Sequence, residues 1–109
     1  MAYSVAASGG GEVEEQAVNI VVYKYAFGAA DFVRLEMPAG AQILHIDMQH
    51  RQLCAWALVD PERPLEERVL CVAGTGHPLA VVDPARLSFI NTVLLAGGDY
   101  VFHFFEVRP

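Results

Sequence analysis

The sequence is short of positive charge. Seven Lys and Arg stand against 13 Asp and Glu, a formal net charge of −6, and Lys24 is the single lysine. That deficit excludes a general nucleic-acid binder, because phosphate backbones are gripped by a basic footprint. It leaves room for one local basic pocket. Cysteine is scarce too: Cys54 and Cys71 are too few for a disulfide framework, so a reduced, cytoplasmic setting is expected. No run approaches the roughly 18–20 uninterrupted apolar residues that cross a bilayer, so no membrane association is expected. Residues 1–11 carry no Lys or Arg and no apolar stretch of about 7–15 residues, so they do not read as a secretory signal. A helical stripe of about ten residues or more is missing as well.

What the chain has in plenty is apolar content. Apolar residues make up 54% and charged residues 18%, against roughly 45–50% and about 25% in an average soluble domain. Disorder, which needs the opposite balance, is excluded. With 109 residues the chain has room for one domain and a core that needs neither metal nor disulfide. Residues 1–16, with their Ser8-Gly-Gly-Gly11 run, read as a flexible N-terminal segment, and residues 17–109 as a single β domain.

Short runs of β-branched and aromatic residues follow one another between turn signals. They cover 17–27, 31–37, 41–49, 52–59, 66–73, 88–95 and 99–107, and Ala96-Gly97-Gly98 reads as a hairpin turn. The spacing predicts an all-β domain: an antiparallel sandwich or barrel of about seven strands. In 41–49 the alternation places Leu44, Ile46 and Met48 on one face, with His45, Asp47 and Gln49 on the other. The first and last strands are apolar on both faces, whereas a small sandwich core needs only one. The second face calls for cover, from a loop of the same chain or from another subunit, and a homo-oligomer is the expectation.

From about Lys24 to Glu106 the chain resembles a family of small phage and prophage proteins known only as a domain of unknown function. The matching stretches are Pro38-Ala-Gly-Ala41 followed by Ile43-Leu44-His45, then Leu53-Cys54-Ala-Trp56-Ala-Leu58-Val59-Asp60-Pro61 and Arg68. They continue with Gly74-Thr75-Gly76-His77-Pro78, then Gly97-Gly98 and Val101-Phe102-His103-Phe104-Phe105-Glu106. The resemblance implies a phage or prophage origin and the cytoplasm of a bacterial host cell. It carries no activity, substrate or catalytic residue to transfer.

Among candidate sites the loop Gly74-Thr75-Gly76-His77 stands out. Two glycines let backbone N–H groups converge on an anion, Thr75 adds a hydroxyl and His77 a titratable donor. With Arg68 they make the candidate ligand-binding set; the plainer reading is a tight turn. No Walker-type Lys-Ser/Thr follows. His45, Asp47 and His103 would form a metal site only if their strands met, and the usual ligand spacings are missing, so no metal and no cofactor are expected. His103 and Glu106, three apart on a strand, point to opposite faces and make no catalytic pair. No catalytic residue is assigned. If 52–59 and 66–73 formed a hairpin, Cys54 would lie opposite Cys71 within disulfide range; the alternative is two small buried apolar side chains. Trp56 shares a face with Cys54 and Leu58 and reads as a central core residue.

These observations lead to a non-enzymatic, homo-oligomeric binding module that acts on a host protein or sequesters a small anionic, nucleotide-like ligand. A structural or virion-associated assembly protein is the alternative, and a small metal-dependent hydrolase ranks last.

Overall fold

Each expected strand forms, and every strand but β3, which ends at His50-Arg51, is followed within a few residues by Gly or Pro. The computed structural model describes residues 18–81 and 83–109; the expected flexible segment 1–16 lies outside them. The strands are β1 (Val21–Phe27), β2 (Phe32–Pro38), β3 (Gln42–Gln49), β4 (Gln52–Val59), β5 (Leu65–Gly74), β6 (Leu87–Leu95) and β7 (Tyr100–Val107). Between β2 and β3, Gly40 adopts φ +81° and Ala41 N–H donates to Pro38 O at 3.1 Å, the arrangement of a type II turn that needs a residue of positive φ. Before β6, Pro84–Arg86 makes one 3₁₀ turn, with the Asp83 carboxylate accepting from Ala85 N–H at 3.0 Å.

The strands form two antiparallel sheets, a three-stranded one in the order β1-β4-β3 and a four-stranded one in the order β2-β5-β7-β6. They pack face to face as a sandwich, and no barrel closes. Phe27, Ile46 and Ala55 of the first sheet meet Val33, Leu70 and Phe104 of the second. The Phe27 and Phe104 rings join the sheets edge to face, with centroids 6.2 Å apart. Each such fully buried large side chain contributes about 1.5–3 kcal/mol.

On one side the sandwich is sewn shut by a single amide. Asn91 Nδ2 donates to Ile46 O at 2.8 Å, and Ile46 N–H donates to Asn91 Oδ1 at 2.8 Å. The side chain thus pairs with the free edge of β3 as a neighbouring strand would. A register shift in β6 between Phe89 and Asn91 aims it there.

Three expectations are corrected. A bulge between Ile43 and His45 breaks the alternation in β3, so Ile43, Ile46 and Met48 pack inward while Leu44 is exposed. The β4 strand pairs with β1 and β3, and β5 with β2 and β7, so 52–59 and 66–73 make no hairpin. Cys54 and Cys71 lie in different sheets and are free, buried thiols. On β4, Leu53, Ala55, Ala57 and Val59 face the core, which turns Cys54, Trp56 and Leu58 outward. Trp56 is therefore not a core residue: two alanines fill the positions that its neighbours left for the interior.

Candidate functional site

The Gly74-Thr75-Gly76-His77 segment sits where β5 ends. It closes as a tight turn, with His77 N–H donating to Gly74 O at 2.9 Å and Gly76 at φ +84°. Thr75 N–H donates to Val101 O at 3.3 Å. Two of the N–H groups that an anion nest would use are therefore engaged within the fold. The His77 imidazole folds over the bare backbone of Gly74: a Cβ there would stand 2.9 Å from His77 Nδ1 and would turn this exposed ring aside. Around it lies a half-open cleft of about 290 Å³, lined among others by Asp31, Val72, Gly74, His77 and Phe102. Asp31, which also holds Val72 N–H through its carbonyl at 3.1 Å, was not singled out by sequence; it belongs to the β1–β2 loop, far from 74–77 along the chain.

Thr75 reaches the other side of the sheet. Its Oγ1 lies 2.7 Å from His103 Nε2, and Thr92 Oγ1 lies 2.9 Å from His103 Nδ1. Both imidazole nitrogens are thus satisfied by hydroxyls, and with no carboxylate behind the ring this is a packing arrangement rather than a charge-stabilised base. Thr92 comes from β6, so its part depends on the β6–β7 register, which places it opposite His103.

Arg68 does not join this turn. It lies six residues earlier on β5, about 20 Å along the strand, facing inward at the other end of the sandwich. There it donates from Nε and Nη2 to the two carboxylate oxygens of Glu106, and from Nη1 to Ala41 O at 2.8 Å. The pair is mostly buried, with 16% and 18% of the side chains exposed. The bond to Glu106 raises the Arg68 pKa above its ordinary value, against the opposing effect of burial. Its donors hold β3, β5 and β7 together. The five candidate ligand residues are therefore split between two ends of the fold.

The histidines are separated as well. His45 lies on the outward face of the three-stranded sheet, opposite Trp56 in register and 3.6 Å from Asp47. His103 lies on the outward face of the four-stranded sheet, and Glu106 on its inward face. Among the described residues no three His, Cys, Asp or Glu side chains converge on a point that could hold a metal ion, and no helix is long and apolar enough to cross a membrane.

The largest unclaimed feature is the outward face of the four-stranded sheet. Phe89 and Phe105 are neighbours in register and stack edge to face with centroids 5.6 Å apart. Phe89 is 59% exposed and Leu94 62%. Towards β2 the segment leading into the 3₁₀ turn lies over the sheet, leaving a cleft of about 170 Å³ lined by Phe32, Ala80, Val81, Asp83, Arg86 and Val107. Cys71, between Phe32 and Phe105 in register, is fully buried, and burial raises its thiol pKa. The expected second apolar face is real: the chain's own loop covers one flank and leaves the β6 flank open.

No curated protein and no solved structure matches the chain. The family model described as Domain of unknown function (DUF7352) matches residues 18–109, from just before β1 through the last strand, and the chain belongs to that family.

Proposed function

We propose that the protein is a non-enzymatic binding module, working as a homo-oligomer on a host protein or a small anionic ligand. This reading includes a phage or prophage origin and action in the cytoplasm of a bacterial host. The observation that carries it is the apolar outward face of β6 and β7, where exposed Phe89 stacks on half-buried Phe105 and exposed Leu94 lies further along, beyond Thr92 and His103. A second copy of the chain is the occupant that fits. The open flank is the edge strand β6 with its neighbour β7, so two copies can set these strands against each other. The rim carries both signs of charge, with Arg34 paired to Glu67 at 3.2 Å and Glu36 beside them in register. A two-fold pairing can therefore set unlike charges opposite one another.

Sedimentation velocity tests this reading. The wild type is expected to run as a dimer or larger at micromolar concentration. The double variant Phe89→Glu/Leu94→Glu should run as a monomer with an unchanged circular dichroism spectrum. A wild-type chain that stays monomeric throughout the micromolar range removes the reading.

A further inference from the structure

The opposite side of the sandwich carries a different kind of surface. On the outward face of the three-stranded sheet Trp56 occupies the central strand, with Lys24 beside it on β1 and His45 beside it on β3, both directly in register. Neighbouring positions of this kind have Cα atoms about 4.5–5.5 Å apart, so a lysine and a histidine occupy the strand positions on either side of the half-buried Trp56. The surrounding face is open, with Val22 52% and Leu44 43% exposed.

The polar groups there are held in place. Lys24 Nζ donates to Gln49 Oε1 at 2.8 Å, a bond that spans the central strand over the row holding Cys54. Asp47 lies on the His45 side, its Oδ1 accepting from Met48 N–H at 2.8 Å. The face thus carries an ammonium drawn across the central strand towards β3, an indole in the middle and a carboxylate on β3. The Lys24 ammonium is tied only to a neutral amide, which a charged phosphate oxygen replaces with gain.

We propose that this face binds a nucleoside monophosphate, its ring stacked on Trp56 and its phosphate taken by Lys24. Base–indole stacking contributes about 1–3 kcal/mol per base and is tolerant of base identity. A single indole serves a single base, and a net charge of −6 opposes the approach of a long polyanion. Both facts favour a mononucleotide over a strand. The inference deepens the small-anion half of the function proposed above and does not rest on self-association through the other sheet.

The chain contains one tryptophan, so its intrinsic fluorescence reports on this face alone. Titration of the full-length protein with AMP, excited at the red edge of indole absorption, should give saturable quenching. Adenosine should bind about tenfold more weakly, a loss worth about 1.4 kcal/mol, and inorganic phosphate should leave the emission unchanged. The exposed substitution Lys24→Gln should bring AMP down to the adenosine value. Lack of saturable quenching by AMP overturns the proposal, as does equal binding of AMP and adenosine or an unaltered Lys24→Gln variant. A ten-residue oligo(dA) that binds more tightly than AMP reassigns the face to single strands. A blue shift of emission with rising protein concentration alone assigns it to a second copy. Either outcome overturns the mononucleotide reading and leaves the sedimentation result to decide the assembly separately.

Discussion

On the four-stranded sheet the outward face presents Phe89, Phe105 and Leu94; on the three-stranded sheet it presents one indole between Lys24 and His45. Both faces come from strands that read as equally apolar, yet they differ in what surrounds the apolar groups. The first is aromatic on aromatic, the surface that another apolar surface covers best. The second sets a lysine on the strand beside an indole, which favours a ligand with both a π-face and a negative charge. The contrast teaches that a doubly apolar strand is no single signal: its meaning depends on cross-strand neighbours that periodicity along one strand does not contain.

The two faces point apart because the sheets are locked back to back, and the seam is the place to break that relation most severely. Asn91 supplies both a donor and an acceptor to Ile46. Replacing it with Ala leaves a part-buried N–H and a part-buried C=O without partners, at about 1–3 kcal/mol for each group left unsatisfied. Asn91→Ala is expected to lose about 3 kcal/mol in urea denaturation. Asn91→Asp, which keeps the acceptor and removes the donor, should not restore the loss. A loss below about 0.5 kcal/mol, the range of ordinary surface substitutions, would mean that the hydrophobic core and the Arg68 bond to Ala41 O hold the sheets together without the amide.

Most of the fold was legible in the sequence, and the reason is local. Seven β-type runs, separated by Gly, Pro and Asp turns everywhere but at His50-Arg51, specify where strands start and stop, and the boundaries fall within a few residues of those expected. What periodicity could not supply was partnership. Nothing in 52–59 or 66–73 says that β4 joins β1 and β3 while β5 joins β2 and β7, so Cys54 and Cys71 were brought together by proximity in sequence. Trp56 reads as inward because it shares a face with Cys54 and Leu58, whereas Ala55 and Ala57 take the core positions because the opposite sheet fills that space with larger groups. Asn91 gave no signal, for an amide matters only once a bulge aims it at a free edge. Of the candidate site, the turn at Gly74–His77 was visible from its glycines. That Arg68 was already bound to Glu106 required the register of three strands.

The buried thiol on the four-stranded side offers a gentler probe of how well its cover stays closed. Burial raises the Cys71 pKa, while an unfolded thiol titrates near about 8.5. Above that pH the unfolded chain releases a proton that the folded chain keeps. The unfolded state then binds fewer protons, and stability falls as pH rises. Tyr25, raised by burial and by the neighbouring Tyr23, adds a decline of the same sign beginning near about pH 10. Stability against urea should thus be flat from pH 7 to about 8.5 and decline beyond it. Cys71→Ala should remove the first part of that decline and keep the second. An equal slope in the variant would mean that the cover over Cys71 opens often enough to leave the thiol in water.

The smallest expected effect concerns the turns that end the two sheets. On the four-stranded side the β6–β7 connection places Gly97 and Gly98 at positive φ, beside Ala96, so most of its left-handed backbone is carried by residues without a Cβ. On the three-stranded side the β3–β4 hairpin turns through His50 and Arg51, at φ 51° and 68°, with Gln49 paired to Gln52. Two positive φ angles in a two-residue loop describe a type I′ turn, for which Asn-Gly is the preferred spelling. The cost of a side chain in that region is about 1–2 kcal/mol per residue, and Asn and Gly avoid much of it. His50→Asn/Arg51→Gly is therefore expected to stabilise the protein by about 1 kcal/mol in the same urea assay. The same variant divides strain from use. If AMP quenching of Trp56 is unchanged while stability rises, the basic tip has no part in holding the ligand and Lys24 acts alone. If binding weakens as stability rises, Arg51 contributes to holding the ligand besides Lys24, and the three-stranded sheet is a ligand surface out to its tip.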